Sequence, residues 1–249
     1  MLELSTEGWL LAILASMAVG LAKGGLAMVA ILAVPILSLV MSPVQAAGLM
    51  LPVYIVSDLG GLLAFRRDFD RRVLKTSLPG AAVGIGMGWA TAHIVPDRGV
   101  TLIVGLIGLV FALNALIRPD LSARARQPSP LRGSFWGALA GYTSFVSHSG
   151  APPYQVYVQP LRLPSVIFAG TTTWYFAVVN WIKLIPYAAL GQLSPANLKV
   201  AAVLTPVALV SVWVGLRLVR IIPQALFYKL ITWGLLAVSS RLVWQALSG

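Results

Sequence analysis

The chain has 249 residues, 58% of them hydrophobic and only 10% charged, with a mean hydropathy of +0.87. A soluble domain carries about 25% charged residues, so the polar surface of a water-soluble globule is missing and the composition indicates an all-α integral membrane protein. Net charge is +11, from 18 Lys and Arg against 7 Asp and Glu. The basic residues gather in short connectors between apolar runs, as the positive-inside rule requires, which argues for a lipid bilayer and against nucleic acid as partner. The absence of cysteine excludes disulfides, iron–sulfur clusters and Cys-based zinc sites. No GxxxxGK[ST] or HExxH occurs, so neither a phosphate loop nor that type of zinc site is present, and no cofactor is expected.

In chain order, Glu3 and Glu7 precede any Lys or Arg, and the first basic residue is Lys23. The basic n-region of a cleaved signal peptide is lacking, and the first apolar stretch is expected to stay. It runs from Gly8 to Val40 with a break at Lys23-Gly24-Gly25. Apolar runs follow from Val44 to Phe65, Leu74 to Ile94 and Val100 to Ile117. After a polar connector, Arg118 to Arg132, comes a stretch from Ser134 to Leu163 broken at His148 to Pro153. The last runs are Val166 to Leu190, Leu198 to Val219 and Leu226 to Leu247. Each half thus reads as one broken segment and three whole ones, about eight helical segments in total.

This order predicts an internal duplication, with repeats over 1–117 and 134–249 and a cytoplasmic linker over 118–133. Landmarks pair at a near-constant offset: Lys23 to Gly25 with His148 to Gly150, Pro35 with Pro160, Ala47-Gly48 with Ala169-Gly170, Asp58 with Asn180, Gly88 with Gly215, and Pro96 with Pro223. Basic clusters at Arg66, Arg67, Arg71, Arg72 and Lys75, and at Arg118, Arg124, Arg126 and Arg132, belong in the cytoplasm. Two crossings separate them, and counting outward gives halves of inverted topology with both termini periplasmic. Arg217 and Arg220 then fall inside as well.

Irregular backbone is tolerated at membrane depth only where it is buried in protein or lines a cavity. Broken helices at matching positions of two inverted repeats are the best sequence pointer to a carrier's substrate site. At the first break, Lys23 is the only charged residue between Glu7 and Asp58, and the turn Gly24-Gly25 lets backbone N–H groups face a ligand. At the second, Ser147, His148 and Ser149 precede Gly150-Ala151-Pro152-Pro153. A half-helix is expected to start at Pro152 or Pro153, its positive N-terminus aimed at an anion. Thr172, with Thr171 and Thr173 beside it, is placed along the path. Asn180 and Lys183 lie on one helix face. Asp58, well inside its helix, is a candidate for proton coupling, with pairing to Lys183 as its structural alternative. Gly80, Gly84 and Gly88 predict a close helix contact, within one chain or in a homo-oligomer. His93, near a segment end, is read as interfacial.

Lys23-Gly24-Gly25, the run from Ser147 to Pro153, Gly170-Thr171-Thr172 and the stretch from Ala177 to Tyr187 resemble the TauE/SafE family of sulfite exporters along essentially the whole chain. The resemblance implies a bacterial inner-membrane, multi-pass secondary transporter, an exporter of sulfite, an organosulfonate or a similar small anion. It departs from the common pattern at Leu26-Ala27-Met28, where many members have further glycines, and at Ser149 to Pro153, where Ala-Gly-Gly-Pro-Pro is usual. Two rival classes are a passive anion channel and an intramembrane serine hydrolase built on Ser149, which needs a histidine within hydrogen-bond reach.

Overall fold

The computed structural model describes residues 4–92, 94–117, 126–221 and 224–248. His93, Arg118, Arg124 and Pro223 of the preceding section lie outside them. The described residues form ten α-helices and no strand. That is the all-α membrane architecture expected, with each of the two broken segments contributing two helices.

The first segment is α1 (Thr6–Lys23), a 3₁₀ stretch (Ala27–Leu32) and α2 (Ala33–Leu37). The second is α6 (Pro130–Ser147), α7 (Ala151–Val158) and a 3₁₀ turn (Gln159–Leu161). Three long helices follow each: α3 (Pro43–Ala64), α4 (Arg71–Thr91) and α5 (Asp97–Ile117), then α8 (Ser165–Ala189), α9 (Pro195–Ile221) and α10 (Gln224–Ser248). The arms beyond the two breaks, Ala27–Leu37 and Ala151–Leu161, both span 11 residues. The first of them opens as 3₁₀, where an α-helical half was expected. Pro35, which has no N–H to give, leaves α2 without a bond to the Ile31 carbonyl.

Helix entries follow short-range chemistry. Ser42 and Gln45 close a capping box on α3 ahead of Pro43, and the Asp70 carboxylate accepts from the N–H groups of Arg72 and Val73 to start α4. Among the described residues, three helices are long and apolar enough to cross a membrane by length and composition, over Thr6–Lys23, Val44–Ala64 and Pro195–Leu218. The outer surface is apolar, with Leu63, Val83, Ile117, Ile185 and Trp244 exposed. Water would be a poor solvent for such a surface and hydrocarbon a good one.

The bundle is closed by two backbone-to-backbone contacts. A Cβ at Gly80 or Gly84 of α4 would collide with the carbonyls of Ser134 and Ala138 on α6, and one at Gly137 or Gly141 of α6 with those of Ser77 and Ala81. The glycine stripe of α4 is therefore spent inside the chain. In the same manner α1 lies on α9, with Gly20 against Ala208 O and Gly24 against Val212 O. Further pairings are α5 with α10, α3 with α8 and α9, and α4 with α8. Exchanging the helices of one half for those of the other turns α4–α6 into α9–α1 and α3–α9 into α8–α4, while α5–α10 and α3–α8 map onto themselves.

A side chain placed in the α4–α6 seam has to push two backbones apart. Gly84→Leu is expected to cost about 1–3 kcal/mol or more as overpacking. Gly86→Ala, whose Cβ meets nothing within 4 Å, should leave stability unchanged or raise it by up to about 1 kcal/mol through helix propensity. Thermal unfolding of the two variants in detergent, read side by side, checks both signs.

Candidate functional site

The two breaks converge on polar groups supplied by α3 and α8. At the first, the C-cap Gly24 donates back to Gly20 O at 3.0 Å, and Gly25, at φ 113°, reverses the chain in a conformation that a side chain would resist. Lys23 closes α1 with 6% of its surface exposed. Its Nζ lies 2.5 Å from Asp58 Oδ1, and the other carboxylate oxygen accepts from Asn180 Nδ2 at 2.8 Å. One fully buried carboxylate thereby fastens α1, α3 and α8 together. Lys23 Nζ also lies 5.3 Å from the centre of the Tyr54 ring, within cation–π range.

At the second break, His148 caps α6 at φ 55°, a left-handed conformation uncommon outside glycine. Two bonds hold the ring there: Nε2 is 2.9 Å from Ala47 O and Nδ1 is 2.6 Å from Lys183 Nζ. A carbonyl can only accept, so Nε2 carries the hydrogen and Nδ1 accepts, a tautomer assigned from this network. Lys183 is fully buried and donates to Ser144 O and Ser144 Oγ, both at 3.1 Å. With His148 these make three acceptors for the three N–H groups of an ammonium. Among the described residues the only salt bridge is Lys23–Asp58, so the pairing of Asp58 with Lys183 considered from sequence is replaced by one with Lys23.

Between these two clusters lies a cavity lined by Lys23, Tyr54, Ser144, His148, Thr172, Thr173 and Asn180, with Phe176 and the alanines 22, 30 and 151 as its apolar wall. It leaves about 30 Å³ to the centres of water-sized molecules, and a single water needs roughly 10–15 Å³. A ligand of a few heavy atoms fits that scale. The Thr172 hydroxyl lies beside that of Tyr154 but outside hydrogen-bonding geometry with it, and both oxygens are buried without a partner.

Lys23, His148, Thr172 and Asn180 of the sequence-predicted set therefore meet at one cavity. Lys183 and Asp58 stand behind its wall, bonded to lining residues. Ser147 and Ser149 instead bond each other, Oγ to Oγ, at 3.0 Å. Gly24 packs on Val212 and Gly215, and Gly150 against Ala140 O and Ser144. Gly25 makes the turn, and Pro152 is buried in the first turn of α7. Because Pro152 and Pro153 have no N–H, the start of α7 offers an oriented dipole but few donors. Thr171 accepts from Asp70 N at 2.8 Å, tying α8 to the α3–α4 connector. Tyr175 stacks on Tyr154 in the core, and Trp174 donates to Phe65 O. Tyr54 and Ser144 were not singled out from sequence, although each stands four residues before a residue that was, Asp58 and His148.

A bundle of apolar helices that buries lysines and unpartnered hydroxyls around a cavity at two helix breaks is an all-α membrane protein with a polar interior. A family model described as sulfite exporter TauE/SafE matches residues 11–242, and the chain belongs to that family of membrane transporters. No curated protein and no solved structure matches it.

Removing one member of the Lys23–Asp58 pair strands a buried charge. Lys23→Met is expected to lose about 3–5 kcal/mol, and the double variant Lys23→Met, Asp58→Leu to recover more than half of that. Denaturant unfolding in detergent measures the cycle, and a double variant no more stable than the single one would remove the ion pair as the cause.

Proposed function

We propose that this chain is a secondary transporter that exports sulfite or a related small sulfur-containing anion across a bacterial inner membrane. The reading rests on family membership, and the one observation that carries it is the cavity where Lys23, His148 and the unpartnered Thr172 hydroxyl converge. The anion is held between the two break tips, in reach of Lys23, His148, Ser144, Thr172 and Asn180, and alternating access exposes it to either side. Residues 1–117 and 134–249 are inverted-topology repeats joined by the linker 118–133, and both termini are periplasmic. The exchange symmetry of the helix pairings supports the duplication. So does the direct bond between the repeat-related residues Asp58 and Asn180, as expected of equivalent positions that meet near a pseudo-two-fold axis. At about 1.5–2.0 Å per residue, the 11-residue arms reach about 16–22 Å, less than a hydrocarbon core of about 30 Å, which favours re-entrant hairpins.

The hydrolase alternative draws little support, since the Ser149 hydroxyl is bonded to Ser147 while both nitrogens of His148 are engaged elsewhere.

In proteoliposomes the purified protein should show saturable sulfite flux. Thr172→Val, which removes one hydroxyl at nearly constant volume, should raise the half-saturating concentration about tenfold or more, the worth of a hydrogen bond to a charged group. A folded protein with no flux of sulfite, taurine or sulfoacetate rejects the reading.

Topology has its own test, because a chain without cysteine makes each introduced cysteine a unique reporter. Thr6→Cys should react with a membrane-impermeant maleimide in intact cells, and Arg67→Cys only after permeabilisation. The opposite pattern would invert the assigned orientation.

A further inference from the structure

The buried charges do not cancel. Among the described residues the buried Lys, Arg, Asp and Glu side chains are Lys23, Lys183 and Asp58, two cations against one anion. Lys23 is matched by Asp58. Lys183 meets only neutral acceptors, Ser144 O, Ser144 Oγ and His148 Nδ1. Three acceptors around Nζ match the three N–H groups of an ammonium, and the charge of that ammonium stays with the Lys183–His148 couple if the proton is shared, because His148 Nε2 is committed to Ala47 O. The nearby phenols are neutral donors, Tyr54 to Ala30 O and Tyr187 to Phe145 O. The excess around the cavity is therefore one positive charge. It sits immediately behind the wall, since both residues bonded to Lys183 line the cavity.

Resting on the anion-carrier reading, we infer that this site selects monovalent over divalent anions of the same size, with Lys183 setting the accepted charge through His148 and Ser144. A monoanion brings the buried region to neutrality. A dianion overshoots by one charge in a volume where an uncompensated charge is costly, and an uncharged ligand leaves Lys183 unbalanced. Thr172 and Asn180, both neutral, orient the oxyanion without altering this count. Lys183 is accordingly a specificity-determining residue that need not touch the ligand.

Methanesulfonate and sulfate test this, as tetrahedral anions of similar size that differ by one charge at neutral pH. Calorimetric titration of the wild-type protein should show methanesulfonate binding at least about tenfold more tightly than sulfate. Equal affinity, or a preference for sulfate, overturns the charge rule and leaves anion transport standing. Neither probe binding to protein that carries sulfite does the same, and neither binding in folded protein without sulfite flux overturns both readings. Asp58→Asn raises the excess to two and should shift the ratio about tenfold or more toward sulfate, whereas an unchanged ratio in the folded variant rejects the inference. Lys183→Gln removes the excess and should lower methanesulfonate affinity about tenfold or more, and a variant that unfolds leaves the wild-type ratio to decide.

Discussion

A charge inside an apolar helix bundle has no water to turn to, and in this protein that constraint decides where the helices meet. Asp58 is fully buried, with Oδ1 in an ion pair with Lys23 from α1 and Oδ2 accepting a hydrogen bond from Asn180 of α8. Lys183, equally buried, is bonded to α6 and to the residue that caps it. Leaving any of these groups unpaired costs several kcal/mol, comparable with the whole stability of a typical domain. The polar contacts therefore select one arrangement of α1, α3, α6 and α8 among the many that apolar packing would tolerate. The cavity is the space left between those contacts.

The two breaks solve the same geometric problem with different residues. Gly25 turns the first because it has no Cβ. His148 turns the second against its own preference and is held by two hydrogen bonds. Backbone strain at a cavity-lining residue persists only when the surroundings over-determine one side chain. At His148 that determination comes from Ala47 on α3 and Lys183 on α8.

Much of this was legible in the chain. Apolar runs, glycine pairs and prolines located eight segments and both breaks, because each of these signals is local and concerns backbone conformation. Lys23, His148, Thr172 and Asn180 were found because polar residues in an apolar run are conspicuous. What could not be read was partnership between helices. Lys23 and Asp58 are 35 positions apart on helices that are apolar on nearly every side, so periodicity gives neither their rotation nor their relative depth. For a buried Asp58 the sequence offers pairing with Lys183 or capping by hydroxyls as the structural alternatives. The structure bonds Asp58 to Asn180 directly, yet Lys183, a turn further along α8, reaches α6 instead. Tyr54 and Ser144 escaped notice for a simpler reason: a tyrosine or serine in a membrane helix is ordinary until its neighbour one turn away is known to belong to a buried polar cluster.

The glycine seams bear on how such a protein would move. Where backbones touch with almost no side chain between them, as along α4–α6 and α1–α9, sliding would open voids and lose dispersion contacts over the whole length of the seam. Each seam joins a helix of the first half to a helix of the second. The most tightly packed units are thus not the two halves of the sequence. They are interleaved pairs, one built on α1 and α9 and the other on α4 and α6, with one break carried by each, and the Lys23–Asp58–Asn180 bridge ties the first pair to α3 and α8.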